Sequence, residues 1–272
     1  MNGKLLPKFD KLLFLTGLLV LGSCGGSGDW GGLPQVSNTN FEEVEFFSVE
    51  VPVDNHTQFN LIGKDGEVTV TGISGVSSVV VTAIKRVQSE SPEDAKAHLQ
   101  ELDVNVQDLA NEVRVSTIQP IDKGGRNYIV DYTITLPKFL AIHVLNLNGI
   151  VTLDSVDNDV AVSNLNGEVI LSKILGSALI ALLNGTIESE VTLPLNGTID
   201  LNTLNGDINL AIPVNTSADF SAAVTIGSID VSNLVLQNPI ITKVFHSGRL
   251  GSGQGVITLE AKQIGNISVL GF

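Results

Sequence analysis

The 272 residues carry 15 Lys and Arg against 29 Asp and Glu, a formal net charge of −14 at pH 7, and 43% of the chain is hydrophobic while only 5% is aromatic. Acidity of this size repels nucleic acid and anionic lipid headgroups, which excludes the electrostatic footprint of a nucleic-acid binder. The one cysteine excludes an internal disulfide, so stability has to come from buried apolar area and hydrogen bonds.

The chain begins with Lys4, Lys8 and Lys11, followed by an apolar run over residues 12–21. That run is too short for a mature membrane-spanning helix and fits a signal peptide over residues 1–23. It ends in Leu21-Gly22-Ser23-Cys24, which resembles the lipobox of bacterial lipoproteins. The resemblance implies that Cys24 becomes the first mature residue and carries diacylglycerol plus an amide-linked, palmitate-type chain. Several acyl chains on one residue give stable membrane anchoring where a single chain is marginal. Losing the leader removes three lysines and Asp10, which takes the net charge from −14 to −16. Gly25, rather than aspartate, follows the cysteine, and in such lipoproteins this favours the outer membrane over the inner. Residues 24–40 read as a flexible tether, dominated by Gly, Ser and Asn.

From Phe41 to Val53 acidic and apolar residues alternate, as in an opening strand. Phe59 to Gly63 leads into Gly66-Glu67-Val68-Thr69-Val70, and Val79 to Val87 is a further β run. Ser91-Pro92-Glu93-Asp94 then supplies a capping serine, a proline at the first helical position and an acid three residues after the cap. A short amphipathic helix is predicted over about 92–102, with Ala95, Leu99 and Leu102 on one face, covering exposed strand edges. Strands return at Val104–Val106, Glu112–Ser116 and Ile129–Leu136.

Beyond Pro137 a phrase recurs: Leu147-Asn148-Gly149, Leu165-Asn166-Gly167, Leu183-Asn184-Gly185 and Leu204-Asn205-Gly206, with glycines 18, 18 and 21 residues apart. Glycine supplies positive φ for a tight corner, and asparagine tolerates left-handed backbone. Asn-Gly is also a hairpin signal, but a strict return of the same corner favours coil stacked on coil. Asn148, Asn166, Asn184 and Asn205 would then lie about 4.8 Å apart and bond as a ladder. The leucine before each asparagine is expected to point inward. Val151, Leu153, Val169, Leu171, Ile199, Leu201, Ile208 and Leu210 are expected to fill the core, with Glu168, Thr198, Asp200, Asp207 and Asn209 in water. After Gly206 and Gly227 the spacing lengthens, and Pro213, Pro239 and residues 237–248 suggest loops or strands out of register.

The lead-in Val130-Asp131-Tyr132-Thr133-Ile134-Thr135-Leu136-Pro137, the Leu-Asn-Gly repeats and the closing Gly265-Asn266-Ile267-Ser268-Val269 together resemble the bacterial β-strand-repeat family labelled "putative adhesin", related to toast-rack-like domains. The resemblance runs from about Phe59 to the C-terminus. It implies a single-stranded β-helix-like fold in the cell envelope and no catalytic residues. The fold class expected is therefore all-β: a β-solenoid-like stack over residues 41–272, irregular over 41–137 and regular over 138–272, with one short helix in its N-terminal half.

His56, His98, His143 and His246 are scattered, and none stands at metal-ligand spacing from another His, Cys or acid. Asp154, Asp157 and Asp159 cluster at one corner, but the Gly-Gly-x-Gly-x-Asp repeat of calcium-stacked β-rolls is missing. No metal, cofactor or catalytic residue is expected. Glu188 and Glu190 share a strand face at roughly the 6.8 Å separation of i and i+2, which keeps a glycan-active β-helix enzyme as an alternative. Sugar sites favour flat aromatic platforms, yet residues 141–219 contain no Phe, Tyr or Trp. The function expected is a non-enzymatic, lipid-anchored envelope protein offering a rigid surface for adhesion or protein contact. A periplasmic stress-response scaffold or sensor is a further alternative.

Overall fold

Strict alternation of apolar and polar residues leaves each strand one face to bury, and sheets packed face to face are the way to bury it. The computed structural model describes residues 40–272; the leader, Cys24 and the tether before Asn40 lie outside the described residues. Four strands come first: β1 (Phe41–Pro52), β2 (Gln58–Ile62), β3 (Val68–Ile73) and β4 (Ser78–Ser89). Helix α1 (Pro92–Leu99) leads to β5 (Asp103–Asp108), β6 (Glu112–Ile118) and β7 (Asn127–Pro137). The repeats form β8 (Ala141–Asn148), β9 (Val151–Asp154), β10 (Val160–Asn166), β11 (Val169–Ile174), β12 (Ala178–Asn184), β13 (Ile187–Val191), β14 (Thr198–Asn205) and β15 (Ile208–Ile212). Then come β16 (Ala218–Ile226), β17 (Ile229–Ser232), β18 (Gln237–Ile241), β19 (Phe245–Leu250), β20 (Gly255–Ile264) and β21 (Ile267–Gly271).

These strands make two large open sheets, one of ten strands in the order β1-β4-β7-β3-β9-β11-β13-β15-β21-β17 and one of eleven in the order β18-β19-β16-β20-β14-β12-β10-β8-β2-β6-β5. The class is all-β with one helix among the described residues, as expected. Within the repeats the chain changes sheet at every Asn-Gly corner, and each strand lies parallel to the one two before it. Ile142, Val160, Ala178 and Ile199 are in register in one sheet, and Val151, Val169, Ile187 and Ile208 in the other. Both sheets are mixed. β1 and β7 flank β4 antiparallel, β5 pairs antiparallel with β6, and β19 pairs antiparallel with β16 and β18.

Spatial order departs from chain order on either side of the repeats. β2 and β3 stand between β6/β7 and β8/β9, and β20 and β21 stand between β14/β15 and β16/β17. The C-terminal strands are therefore central, bonded in parallel on both sides, and the strands beyond them join the sheets only through them.

The core residues expected from the alternation, Val151, Leu153, Val169, Leu171, Ile199, Leu201, Ile208 and Leu210, are all buried. In the N-terminal half larger side chains fill the space: Tyr132 is buried with its hydroxyl 2.8 Å from Thr117 Oγ1, and burial pushes its pKa up to about 12. The helix is capped as expected, with the Ser91 hydroxyl accepting from the Asp94 amide at 3.1 Å. It is shorter than predicted, ending at Leu99. Residues 100–102 tighten into i→i+3 bonds that drop Leu102 into the core ahead of β5. Ala95 and Leu99 are buried, and the helix packs on β1 and β4 at the outer end of the ten-stranded sheet. Arg126 holds Asp94 through two bonds of 2.6 Å and keeps its carboxyl well below the usual carboxylate range.

The corners set the stacking distance. Gly149, Gly167, Gly185 and Gly206 have φ of 131°, 132°, 136° and 137°. A Cβ on any of them would lie well under 3 Å from the carbonyl oxygen of the neighbouring glycine in the stack: Gly66 for Gly149, Gly149 for Gly167, Gly167 for Gly185 and Gly185 for Gly206. Gly185→Ala is therefore expected to cost more than about 3 kcal/mol, combining strain in φ with a backbone clash. Gly75→Ala, at φ 78° with open space around it, should cost only about 1–2 kcal/mol. Urea denaturation of the two variants measures the difference.

Candidate functional site

The four corner asparagines form a continuous hydrogen-bonded file. Nδ2 of Asn166 donates to Asn148 Oδ1 at 2.7 Å, Asn184 to Asn166 at 2.8 Å and Asn205 to Asn184 at 2.9 Å. Every amide points the same way, and the file ends on a carboxylate, Asn148 Nδ2 donating to Asp65 Oδ1 at 2.5 Å. Aligned amides polarise one another, so an anion at the acceptor end suits the file. Burial would raise the Asp65 pKa, but bonds from Lys123 and Asn148 together with the Lys123 charge outweigh it and lower the pKa. At the other end the neighbours are aliphatic, Ile264 and then Ile226. The polar bonding moves to the next corner position, where the Asn266 amide nitrogen donates to Asp207 Oδ1 at 2.7 Å and Ser228 Oγ donates to Asn266 Oδ1 at 2.9 Å. Asp207 is thus half-buried and bonded between strands, not simply in water.

The leucines of the repeat do not point inward as expected. Leu147 and Leu165 are 41% and 40% exposed, and Leu183 and Leu204 are half-buried on the outer face. Strand period puts the residue before each leucine inward instead, and there Asn146 and Asn164 are buried at 2% and 3%. Asn164 Nδ2 donates to Gly149 O at 2.9 Å and Asn146 Nδ2 to Gly66 O at 3.2 Å, satisfying corner carbonyls from inside. Sequence reading missed these two residues. Their signal was the Asn-Leu-Asn-Gly phrase, whose first asparagine breaks the apolar inward column.

The acids and histidines are engaged separately. Glu188 Oε1 accepts from Asn209 Nδ2 at 2.6 Å across β13 and β15. Asp159 Oδ1 accepts the Ser177 amide at 2.8 Å, and Asp154 Oδ2 accepts from Ser155 Oγ at 2.9 Å. His56 Nε2 lies 2.8 Å from Asp108, and His98 Nδ1 lies 2.8 Å from the Asp94 carbonyl. Among the described residues no three His, Cys, Asp or Glu side chains gather into a group able to hold a metal ion.

A concave apolar surface lies beside β17 and β18, the last strands of the two sheets. β17 is the outermost strand of the ten-stranded sheet and β18 that of the eleven-stranded sheet, so each has one edge without a strand partner among the described residues. All five residues of β18 are exposed, with Ile240 at 59% and Ile241 at 63%, and the connection before it exposes Val235 at 83%. Between β17 and the β18–β19 hairpin lies a pocket of about 380 Å³, walled by Ile229, Val231, Leu234, Leu236, Ile241 and His246. His246 Nδ1 is buried without a hydrogen-bond partner, and with Asp230 it gives the otherwise apolar wall two polar points. The two edges differ: Asn238 at φ 50°, Pro239 and an irregular register between Gln237 and Ile240 spoil β18 for further pairing. β17, Ile229-Asp230-Val231-Ser232, carries no proline and keeps a regular parallel register with β21, so its edge is left open apart from its four-residue length and Asp230.

The chain matches no protein-family model and no curated protein. Among solved structures it is similar to a "putative cell adhesion protein" from Clostridium sporogenes, at 11% identity and TM-score 0.46 over 84% of this chain and 99% of that one. It is also similar to a "putative adhesin" from Bacteroides fragilis, at 13% identity and TM-score 0.31 over 83% and 97%. A "putative lipid binding protein" from Parabacteroides distasonis is similar at 12% identity and TM-score 0.26 over 86% and 95%.

Asn166→Ala removes both a donor and an acceptor from the file and should destabilise by about 1–3 kcal/mol in urea denaturation. The acid limb of stability tests the anchor of the file. Because the folded-state pKa of Asp65 lies below its ordinary 3.8, its contribution is present above about pH 4 and fades as pH falls through the acid range. The stability gap between the parent and Asp65→Asn should shrink between about pH 5 and about pH 2 when unfolding is measured at each pH.

Proposed function

We propose that this protein is a non-catalytic, lipid-anchored component of the bacterial envelope, a rigid β-solenoid that captures an extended polypeptide segment at its open end. The anchor reading rests on Leu21-Gly22-Ser23-Cys24 after a short apolar run, with Gly25 favouring the outer membrane. The solenoid reading rests on the parallel register of β8 to β15 and on the column of glycines spacing one corner from the next.

One observation carries the capture reading: the edge of β17, without a strand partner among the described residues, beside the pocket of about 380 Å³. A free strand edge offers main-chain hydrogen bonds to an added strand, and a neighbouring pocket selects an alternate side chain of that strand. The pocket's apolar wall suits an aliphatic or aromatic side chain, with His246 available for one hydrogen bond. Adhesion or assembly with another envelope protein would both use such a site.

Cys24→Ser should abolish acyl labelling and move the protein from the membrane to the soluble fraction; unchanged fractionation would remove the anchor from the reading. A photo-crosslinking residue at Val235 should give a defined protein adduct in intact cells. Ile241→Asp should cut that adduct severalfold, and Thr152→Asp, on the other sheet's outer face, should leave it intact. No adduct, or equal loss with both substitutions, counts against capture at this end.

A further inference from the structure

The outer face of the eleven-stranded sheet is uneven in a way the other sheet's is not. Across β8, β10 and β12 the outward residues include no Asp, Glu, Lys or Arg, in a chain whose net charge is −14. On the ten-stranded sheet the matching strands β9, β11 and β13 present Thr152, Asp154, Ser172, Glu188 and Glu190. His143 adds no charge to the apolar face near neutral pH, since burial lowers its pKa against the opposing pull of Glu112 and Asp159.

The face also has relief. Leu147, Leu165, Leu183 and Leu204 precede the corner asparagines, which are in register, so the leucines form a ridge along the stack. Two residues earlier in each strand, Leu145, Ser163, Ala181 and Asn202 are in register with one another. Small side chains at Ser163 and Ala181 make a groove parallel to the ridge, about 6.8 Å from it.

We propose that a second copy of this chain covers this face, the leucine ridge of each copy lying in the groove of the other. A two-fold axis running along the stack, between ridge and groove, places Leu165 of one copy over Ser163 of its partner and Leu183 over Ala181, and the reverse. Large residues lie opposite small ones at these two central positions, as an isologous contact between packed sheets requires, while the same axis sets Leu147 against Leu145 and Leu204 against Asn202 at the ends of the ridge.

Size and rim agree with a dimer. The charge-free strands β8, β10 and β12, at about 4.8 Å spacing and roughly seven or eight residues long, give roughly 350 Å² per copy, and the flanking strands β2, β14 and β20, which carry the polar rim, bring the footprint to roughly 700 Å². A standard stable interface takes roughly 800 Å² from each partner. Polar groups border the apolar strip on both sides: Glu112 bound by Gln58 and Arg114 on one, Asp200 with Asn202 and Glu260 with Lys262 on the other. An apolar centre with a polar rim is the usual anatomy of an interface. The inference does not rest on capture at β17, because the two use different strands.

Full-length Ser163→Cys, produced in the envelope and treated with a short bismaleimide, tests it. A covalent homodimer is expected, at least about tenfold above the parent chain and above Thr152→Cys on the opposite face. Adding Leu183→Glu should abolish the dimer by burying a charge. Adding Ala181→Leu, an outward substitution that leaves the core untouched, should reduce it severalfold by filling the groove. The proposal is overturned if Ser163→Cys gives no homodimer, if Thr152→Cys gives as much, if Ala181→Leu changes nothing, or if the thiol introduced by Ser163→Cys links only to a different polypeptide. None of these results bears on the Val235 adduct or on fractionation, so the two readings fail separately.

Discussion

Backbone against backbone at the glycine corners is the contact on which the rest of this structure depends. With no Cβ at Gly149, Gly167, Gly185 or Gly206, each corner settles onto the carbonyl of its neighbour, and the strands on either side come within hydrogen-bonding distance along their length. Because the same corner recurs, the same register recurs. Inward valines and leucines then stack on like residues, the corner asparagines meet as a file, and the leucines before them meet as a ridge. A Cβ at one corner would force apart two sheets at once.

Polar groups at the corners are satisfied from both sides of the wall. Outside, the asparagine file runs amide to amide into Asp65. Inside, Asn146 and Asn164 bond the corner carbonyls of Gly66 and Gly149. Buried amides are costly unless paired; the Nδ2 groups of these two meet carbonyls that the tight turn directs at the core, while Asn164 Oδ1 is buried without a partner. At the same register Leu182 interrupts the inner polar column, Thr203 resumes it with a buried hydroxyl, and Ala261 ends it.

The two ends of the sheets are treated differently. At the N-terminal end β1 and β4 are long antiparallel strands on which α1 packs, with Lys85 ion-paired to Glu45 at 3.0 Å across them. At the C-terminal end β17 is four residues long and the β18–β19 hairpin stands largely exposed. Exposed strand edges invite pairing, and proteins usually blunt them. Here β18 is blunted by Asn238 and Pro239 while β17 is left available, which is why binding is proposed at that end.

Local chemistry in the sequence determined the strands, the capped helix, the glycine corners and the inward column from Val151 to Leu210, because φ preference, alternation and capping act within a few residues. The asparagine repeat likewise showed that like side chains would recur at like places. Three things were decided only by tertiary structure. The leucines face outward because the inward count is set by the corner's geometry, which places Asn146 and Asn164, not Leu147 and Leu165, over the core. The insertion of β20 between β14 and β16, and of β21 between β15 and β17, is a long-range matter that no local spacing records. The charge-free strip across β8, β10 and β12 exists because residues 18 apart in the chain become neighbours about 4.8 Å apart in space, so its relief emerges only once the register is set.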